Sequence, residues 1–192
     1  PHIDVSWIIV KLAGNIQYGY GIVKESTRAN DVNIHHNIVC HLTYSGYNPR
    51  GIYCRGGHNI YRNIVYDIHG TRVGGTGVYG CFSSDYITRQ VSNNTIHDVR
   101  QDANNTTVGC NGYNTSYLSV KNNLVTDTVR DLLGLGEGGV DFAPLSRAVS
   151  ATNASSDGTA PSAITADPVD SAVEYVDNGA VAYDLHLAEG AE

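Results

Sequence analysis

Acidic side chains recur about every thirty residues through the first two thirds of the chain. Asp67, Asp98 and Asp127 each stand four residues after an asparagine, and His41 stands four residues after Asn37. If these positions stack on one another, two carboxylates lie about 5 Å apart, close to the separation in a retaining glycosidase. Clustered carboxylates also suit calcium, and Asp after a β-bend commonly caps the turn. The pattern leaves catalysis, calcium binding and turn capping open.

Bases and aromatic side chains recur at two further positions of the same interval. Two residues before the recurring asparagine stand His35, Tyr61, Ser92 and Lys121. Three residues after it stand Cys40, Tyr66, His97 and Thr126. Cleavage of a uronic-acid polymer by β-elimination needs a cation or metal for the carboxylate, a base for the C5 proton and an acid for the leaving oxygen. Polar residues also cover the outside of any folded chain, so a plain solvated face is the alternative.

These patterns define the candidate site residues. The residues predicted to act in catalysis are Asp67, Asp98, Arg62, His69 and Arg100. The residues predicted to bind substrate are His35, Tyr61, Tyr66, His97 and Lys121. The chemistry requires no cofactor, and a calcium ion would be held by Asp67, Asp98 and Asp127. The 13 Tyr residues offer flat rings with polar tips for sugar stacking, although tyrosine also favours strands.

One short phrase recurs four times and sets the position of all these residues. Its skeleton is x-[Ile/Val]-x-x-Asn-x-[Val/Ile], with intervals of 26, 31 and 29 residues between Asn37, Asn63, Asn94 and Asn123. A second phrase precedes it, beginning at Gly21, Gly51, Gly77 and, more loosely, Thr107. Because several positions keep one register, the chain is an internal repeat.

Each repeat contains short runs of β-branched residues and no apolar pattern with a helical period. We therefore predict an all-β solenoid whose repeats stack about 4.8 Å apart. Two inward columns are expected, Ile34/Ile60/Val91/Val120 and Val39/Val65/Ile96/Val125. The recurring Asn is expected to take left-handed backbone angles at a tight bend and to hydrogen-bond the Asn of the next repeat.

The Asn-Ile-x-x-Asn-x-Val phrase and its Gly-Ile-Tyr partner resemble the repeat of pectate-lyase-like proteins over residues 3–130. This resemblance implies a right-handed, single-stranded parallel β-helix of about 4–6 coils with an irregular C-terminal tail or cap. Phrases at 153–161, 166–168, 175–179 and 183–187 resemble the closing segment of many environmental bacterial and phage β-helix proteins. They indicate a C-terminal fragment of a longer protein.

For function, the resemblance implies a polysaccharide lyase, a glycoside hydrolase, or a noncatalytic adhesin or tailspike-like protein. The local motifs of the enzymes are absent, since the chain has no Arg-x-Pro-x-x-Arg and no Asn-Thr-Asp, Asp-Asp or Gly-His-Gly. Catalytic residues therefore cannot be carried over from the family.

The charge and composition argue against some classes of partner and indicate two segments of the chain. The net charge of −7 argues against nucleic acid, and no apolar run is long enough to span a membrane. Residues 1–130 carry 11 basic and 8 acidic side chains, whereas residues 131–192 carry one basic and 11 acidic side chains. We predict β-helix coils over 1–130 and an acidic segment over 131–192 that closes or caps them. The cysteines, Cys40, Cys54, Cys81 and Cys110, are expected to be packed thiols with one bridge at most.

We expect a carbohydrate-binding or polysaccharide-degrading β-helix module, either secreted outside the cell or on a virion surface, with polysaccharide as its partner. The alternative is a noncatalytic structural or adhesive solenoid that binds without releasing product and forms a homotrimer. A third interpretation places the catalytic groove on missing N-terminal coils and predicts an exposed apolar end at residues 1–10.

Overall fold

The computed structural model describes residues 2–11, 16–25, 32–71, 78–84, 89–102, 107–113, 118–130, 140–142, 149–151, 154–155, 175–177 and 184–187. These residues form strands and turns, with no helix among them, and none of the described segments is an apolar helix that could cross a membrane. The strands are β1 (Ile3–Ser6), β2 (Ile9–Lys11), β3 (Ile16–Lys24), β4 (Val32–His35), β5 (Ile38–Arg55), β6 (His58–Tyr61), β7 (Ile64–Gly70), β8 (Val78–Ser84), β9 (Arg89–Ser92), β10 (Thr95–Gln101), β11 (Thr107–Tyr113), β12 (Leu118–Lys121), β13 (Leu124–Arg130), β14 (Val140–Phe142), β15 (Val149–Ala151), β16 (Ala154–Ser155), β17 (Tyr175–Asp177) and β18 (Asp184–Leu187).

Strands from successive repeats pair in parallel. One sheet has the order β1-β4-β6-β9-β12-β15. A second has the order β14-β11-β8-β5-β7-β10-β13-β16, with β2 and β3 also paired to β5. The first part of the long β5 pairs with β2 and β7, and its last part pairs with β3 and β8. Parallel sheets stacked in this way are compatible with a β-helix or solenoid.

The register of the strands equals the spacing of the sequence repeat. Ile34 pairs with Ile60, Ile60 with Val91, and Val91 with Val120. The members of both predicted inward columns are at most 1% exposed. The two columns are confirmed, and they form the centre of the core because β-branched side chains pack well on a pleated surface.

The recurring asparagines form a buried ladder along the stack. Asn37 donates its backbone N–H and its Nδ2–H to Oδ1 of Asn63, both at 3.1 Å. Asn63 bonds Asn94 and Asn94 bonds Asn123 in the same way, at distances of 2.9 to 3.1 Å. The hydrogen bonding predicted for these residues is confirmed. Their predicted backbone angle is wrong, because the left-handed angles fall on the residue before each asparagine.

A column of glycines explains how closely β3, β5 and β8 approach one another. A Cβ on Gly21 would lie 2.6 Å from the carbonyl oxygen of Gly51, and a Cβ on Gly51 would lie 2.6 Å from that of Gly80. Only glycine permits this approach. Since Ile52 pairs with Cys81, the third member of the column is Gly80. The prediction of Gly77, which lies outside the described residues, is wrong by three positions.

Strands beyond residue 130 extend the same sheets. β14 pairs with β11, β15 with β12, and β16 with β13, all in parallel. β17 and β18, which carry two of the tail phrases, form a separate antiparallel pair. Most of the acidic segment 131–192 lies outside the described residues, so its role as a cap stays a prediction.

Candidate functional site

A sharp corner after β1, β4, β6, β9 and β12 directs one side chain of each repeat outward. The corner residues have left-handed φ angles of 54° to 61°, and they are Trp7, His36, Arg62, Asn93 and Asn122. The first four of these residues donate their backbone N–H to the neighbouring repeat, as His36 does to the carbonyl of Arg62 at 3.0 Å. A left-handed residue costs about 1 kcal/mol when its side chain is bulky. The corner therefore presents large side chains at an energetic cost.

Two stacked ring pairs lie together at this corner. The rings of Trp7 and His36 stack with centroids 4.5 Å apart and an interplanar angle of 15°. The rings of His35 and Tyr61 stack at 4.8 Å and 12°. His35 and His36 are joined through their Nδ1 atoms, 2.7 Å apart. We call these four residues the aromatic platform. It brings together two predicted substrate-binding residues, His35 and Tyr61, with two that were not predicted.

The platform borders a cleft of about 350 Å³. Its lining includes Trp7, His36 and Arg62 from the corner, and Ile9, Ile38 and Ile64 from the first residues of the next strands. Trp7 is 76% exposed and Ile9 is 70% exposed. The cleft thus combines flat rings and an aliphatic floor with one guanidinium group. Arg62, predicted to act in catalysis, lies here and not with the predicted acids.

Hydrogen bonds and charges order one end of the platform. Asp4 accepts one hydrogen bond from Asn33 at 3.0 Å through Oδ1, and His2 lies 3.0 Å from its other oxygen. Its Oδ1 is 3.6 Å from Nε2 of His35. The Asn33 hydrogen bond, together with His2 and His35, lowers the pKa of Asp4 below its usual value. Desolvation lowers the pKa of His36, and the neighbouring His35 and Arg62 lower it further.

A second cluster, the Asp67 network, lies at the next corner of the backbone. His41, Asp67 and Asp98 have φ angles of 51° to 53° there. Asp67 accepts from His41 at 2.7 Å through Oδ2 and from Arg100 at 3.0 Å through Oδ1. Arg100 also lies 3.3 Å from Oδ2 of Asp98. The structure therefore unites three of the predicted catalytic residues, with both carboxylates held by one guanidinium.

No family model, curated protein or solved structure matches the chain when it is compared with them. The assignment of function therefore rests on the geometry of these two clusters. Among the described side chains, no group of three or more His, Cys, Asp or Glu residues is arranged to hold a metal ion. The side chain of Asp127, the third residue of the predicted calcium site, lies outside the described set.

The remaining predicted residues do not form a cluster of their own, and one of them is buried. His69 pairs with Asp102 at 2.6 Å, a partner that was not predicted. His97 is 4% exposed and contacts Oγ1 of Thr126 at 3.0 Å, which leaves little of its ring for a substrate. Tyr66 meets the ring of His41 edge-on at 5.2 Å. Lys121 is exposed at the end of β12.

Sequence reasoning missed Trp7 although the repeat contains the signal for it. Ser6 pairs with His35 and Ile9 with Ile38, so Trp7 occupies the position of His36 one repeat earlier. Ile8 then takes the place of the asparagine, and its backbone N–H donates to Oδ1 of Asn37 at 3.2 Å. Because this repeat lacks the asparagine, the recurring phrase does not mark Trp7 as the equivalent of His36.

Proposed function

We propose that this chain is a carbohydrate-binding module with the right-handed, pectate-lyase-like β-helix fold and about 4–6 coils. Support for the fold comes from parallel pairing in register with the repeat and from the asparagine ladder. The handedness and the superfold come from the resemblance of the repeat phrase. Polysaccharide is the proposed partner, and the exterior of a cell or a virion is the proposed setting.

The exposed Trp7–His36 stack is the observation that carries the proposal. A tryptophan that is 76% exposed forgoes most of the free energy that burial of a large ring supplies. Trp7 is nevertheless stacked on His36 at 4.5 Å, beside a second stacked pair. Flat rings next to hydrogen-bonding groups suit a sugar, whose axial C–H groups pack on a ring while its hydroxyls find polar partners.

The Asp67 network favours binding over hydrolysis. A retaining glycosidase needs one carboxylate as nucleophile and a second carboxyl as acid. Here Asp67 already accepts from His41 and Arg100, and Arg100 also contacts Asp98. An arrangement in which one cation holds both carboxylates is suited to stabilising the corner.

The test is binding and turnover on one panel of polysaccharides, both uronic-acid polymers and neutral ones. We expect binding to at least one polymer without new ultraviolet absorbance and without new reducing ends. Trp7→Ala should weaken that binding about tenfold, equivalent to roughly 1.4 kcal/mol. Val23→Ala removes another exposed apolar side chain (Val23 is 47% exposed) from β3 and should leave binding unchanged. Equal losses in the two variants, or binding to no polymer, would refute the proposal.

Polysaccharide cleavage is the second candidate. It is favoured by His69, which pairs in register with Arg100 across β7 and β10 and so places an imidazole at the strand position next to a cation. This candidate requires product from at least one polymer of the same panel. Asp98→Asn should then abolish turnover while the thermal midpoint hardly moves. A wild-type protein that releases no product from any polymer would eliminate this candidate.

A further inference from the structure

The hydrogen bond between His35 and His36 joins the two ring stacks of the platform. Their Nδ1 atoms are 2.7 Å apart, so one ring must donate through Nδ1–H and the other must accept through a bare Nδ1. His35 is also stacked on Tyr61, and His36 on Trp7. The hydrogen bond between the histidines therefore links the ring stacked on Trp7 to the ring stacked on Tyr61.

The first and the second proton added to the pair have different effects on its hydrogen bond. A proton on Nε2 of His35 faces Asp4, 3.6 Å away, and leaves the Nδ1 hydrogen bond intact. A second proton, on Nδ1 of the accepting ring, makes both Nδ1 atoms donors and removes the bond. It also places two imidazolium rings side by side, next to Arg62, at the expense of Coulomb repulsion.

The charged and titratable groups that face the pair come from both adjacent repeats. Asp4, with His2 bound to it, faces His35 from β1. Tyr61 faces both rings from β6, at 4.8 Å from His35 and 6.3 Å from His36. Arg62 acts on His36 from the corner after β6. Among the described groups, the carboxylate of Asp4 therefore lies on the His35 side of the pair, and the guanidinium of Arg62 opposes protonation of His36.

We propose that the His35–His36 pair is a pH-sensitive switch of the aromatic platform. With at most one added proton, the pair holds His36 flat against Trp7. Uptake of the second proton breaks the pair, and His36 leaves its stacked position. The consequence for ligands rests on the proposed carbohydrate binding, because loss of the platform would then release the sugar at acidic pH.

Trp7 is the one tryptophan of the chain, so fluorescence excited at the long-wavelength edge, where the 13 tyrosines absorb little, reports on this stack. We expect the fluorescence to change in a step as the folded protein is titrated from about pH 8 to about pH 4.5, where histidine protonates. His36→Gln should remove the step. His69→Gln removes a histidine that pairs with Asp102 elsewhere and should retain it. A step that survives in His36→Gln, or no step in the wild-type protein, would overturn the proposal.

Nuclear magnetic resonance of the histidine rings tests the switch in the wild-type protein, without any substitution. Strongly interacting sites titrate in separated macroscopic steps. We expect the His35 and His36 resonances to follow two shared steps, with the second below the usual histidine range. Independent titration of the two rings with equal midpoints would contradict the coupling.

The effect on ligands is measured with dextran and polygalacturonate as probes at about pH 7.5 and about pH 5. We expect the bound probe to lose affinity about tenfold or more at the acidic pH in the wild-type protein and in His69→Gln. Unchanged affinity, despite a fluorescence step, would refute control of binding by the pair. Failure of both probes to bind at either pH counts against the proposed function, while the fluorescence and resonance titrations still decide the switch.

Discussion

Asn63 donates its backbone N–H and its side-chain Nδ2–H to the same oxygen, Oδ1 of Asn94, at 3.0 Å each. Its own Oδ1 accepts the equivalent pair from Asn37. Each asparagine thus satisfies buried groups of two repeats at once. Both residues are at most 1% exposed, so water cannot replace these bonds, and the ladder ties neighbouring repeats in register.

Asn63→Ala should lower the free energy of unfolding by about 2–4 kcal/mol, because the backbone N–H of Asn37 would lose its acceptor in the core. Asn59→Ala is the matched control. Asn59 is a half-buried asparagine whose amide donates to Asn33 at 2.9 Å, and its loss should cost less than about 1 kcal/mol. Urea denaturation of both variants measures the difference. Equal costs would contradict the ladder as a source of stability.

Gly51→Ala tests the close approach in the glycine column. The new Cβ would lie 2.5 Å from Cγ1 of Val65 and 2.6 Å from the carbonyl oxygen of Gly80, so the backbones must separate. We expect a loss of about 2–3 kcal/mol, as for overpacked cores. Val23→Leu adds one carbon at an exposed position of β3 and should be nearly neutral. A thermal midpoint of Gly51→Ala equal to that of Val23→Leu would show that the column is not tightly packed.

Asp67→Asn tests the role of the Asp67 network. The Asp67 side chain is 17% exposed and accepts from His41 and Arg100. We expect a stability loss of about 1–2 kcal/mol. Asp102→Asn breaks the His69 pair, whose acid is 49% exposed, and should cost no more than about 0.5 kcal/mol because exposed pairs contribute little. The two values come from chemical denaturation at neutral pH. A larger loss in Asp102→Asn would be inconsistent with this assignment.

Stability should fall in alkali partly through Cys110. Burial raises the pKa of this thiol from 9.0 to about 12. The unfolded chain loses the proton first, so the contribution to stability is complete below about pH 9 and is lost as the pH rises toward 12. The slope is at most about 1.4 kcal/mol per pH unit. Subtracting the stability profile of Cys110→Ala from that of the wild-type protein isolates this effect, and a flat difference would refute the raised pKa.

The predicted columns and ladder followed from spacing because each depends on one geometric rule. When repeats stack in register, residues one interval apart become neighbours, whatever lies between them. Asn63 and Asn94 are 31 positions apart and form direct hydrogen bonds. The third glycine of the column was misplaced at Gly77. A Gly followed by a β-branched residue is too short a phrase to locate the register by itself.

The sequence by itself determined which residues of adjacent repeats lie directly above one another, since the interval between asparagines sets the neighbours along the stack. Only the tertiary structure decided which columns lie close around the circumference. It separated Arg62, which lines the cleft beside the platform, from the Asp67 network at the next corner. Left-handed angles at individual residues such as His36 and Asp67 determine where the backbone turns. Those angles depend on hydrogen bonds between repeats, such as that from His36 to Arg62, which exist only once the repeats are stacked.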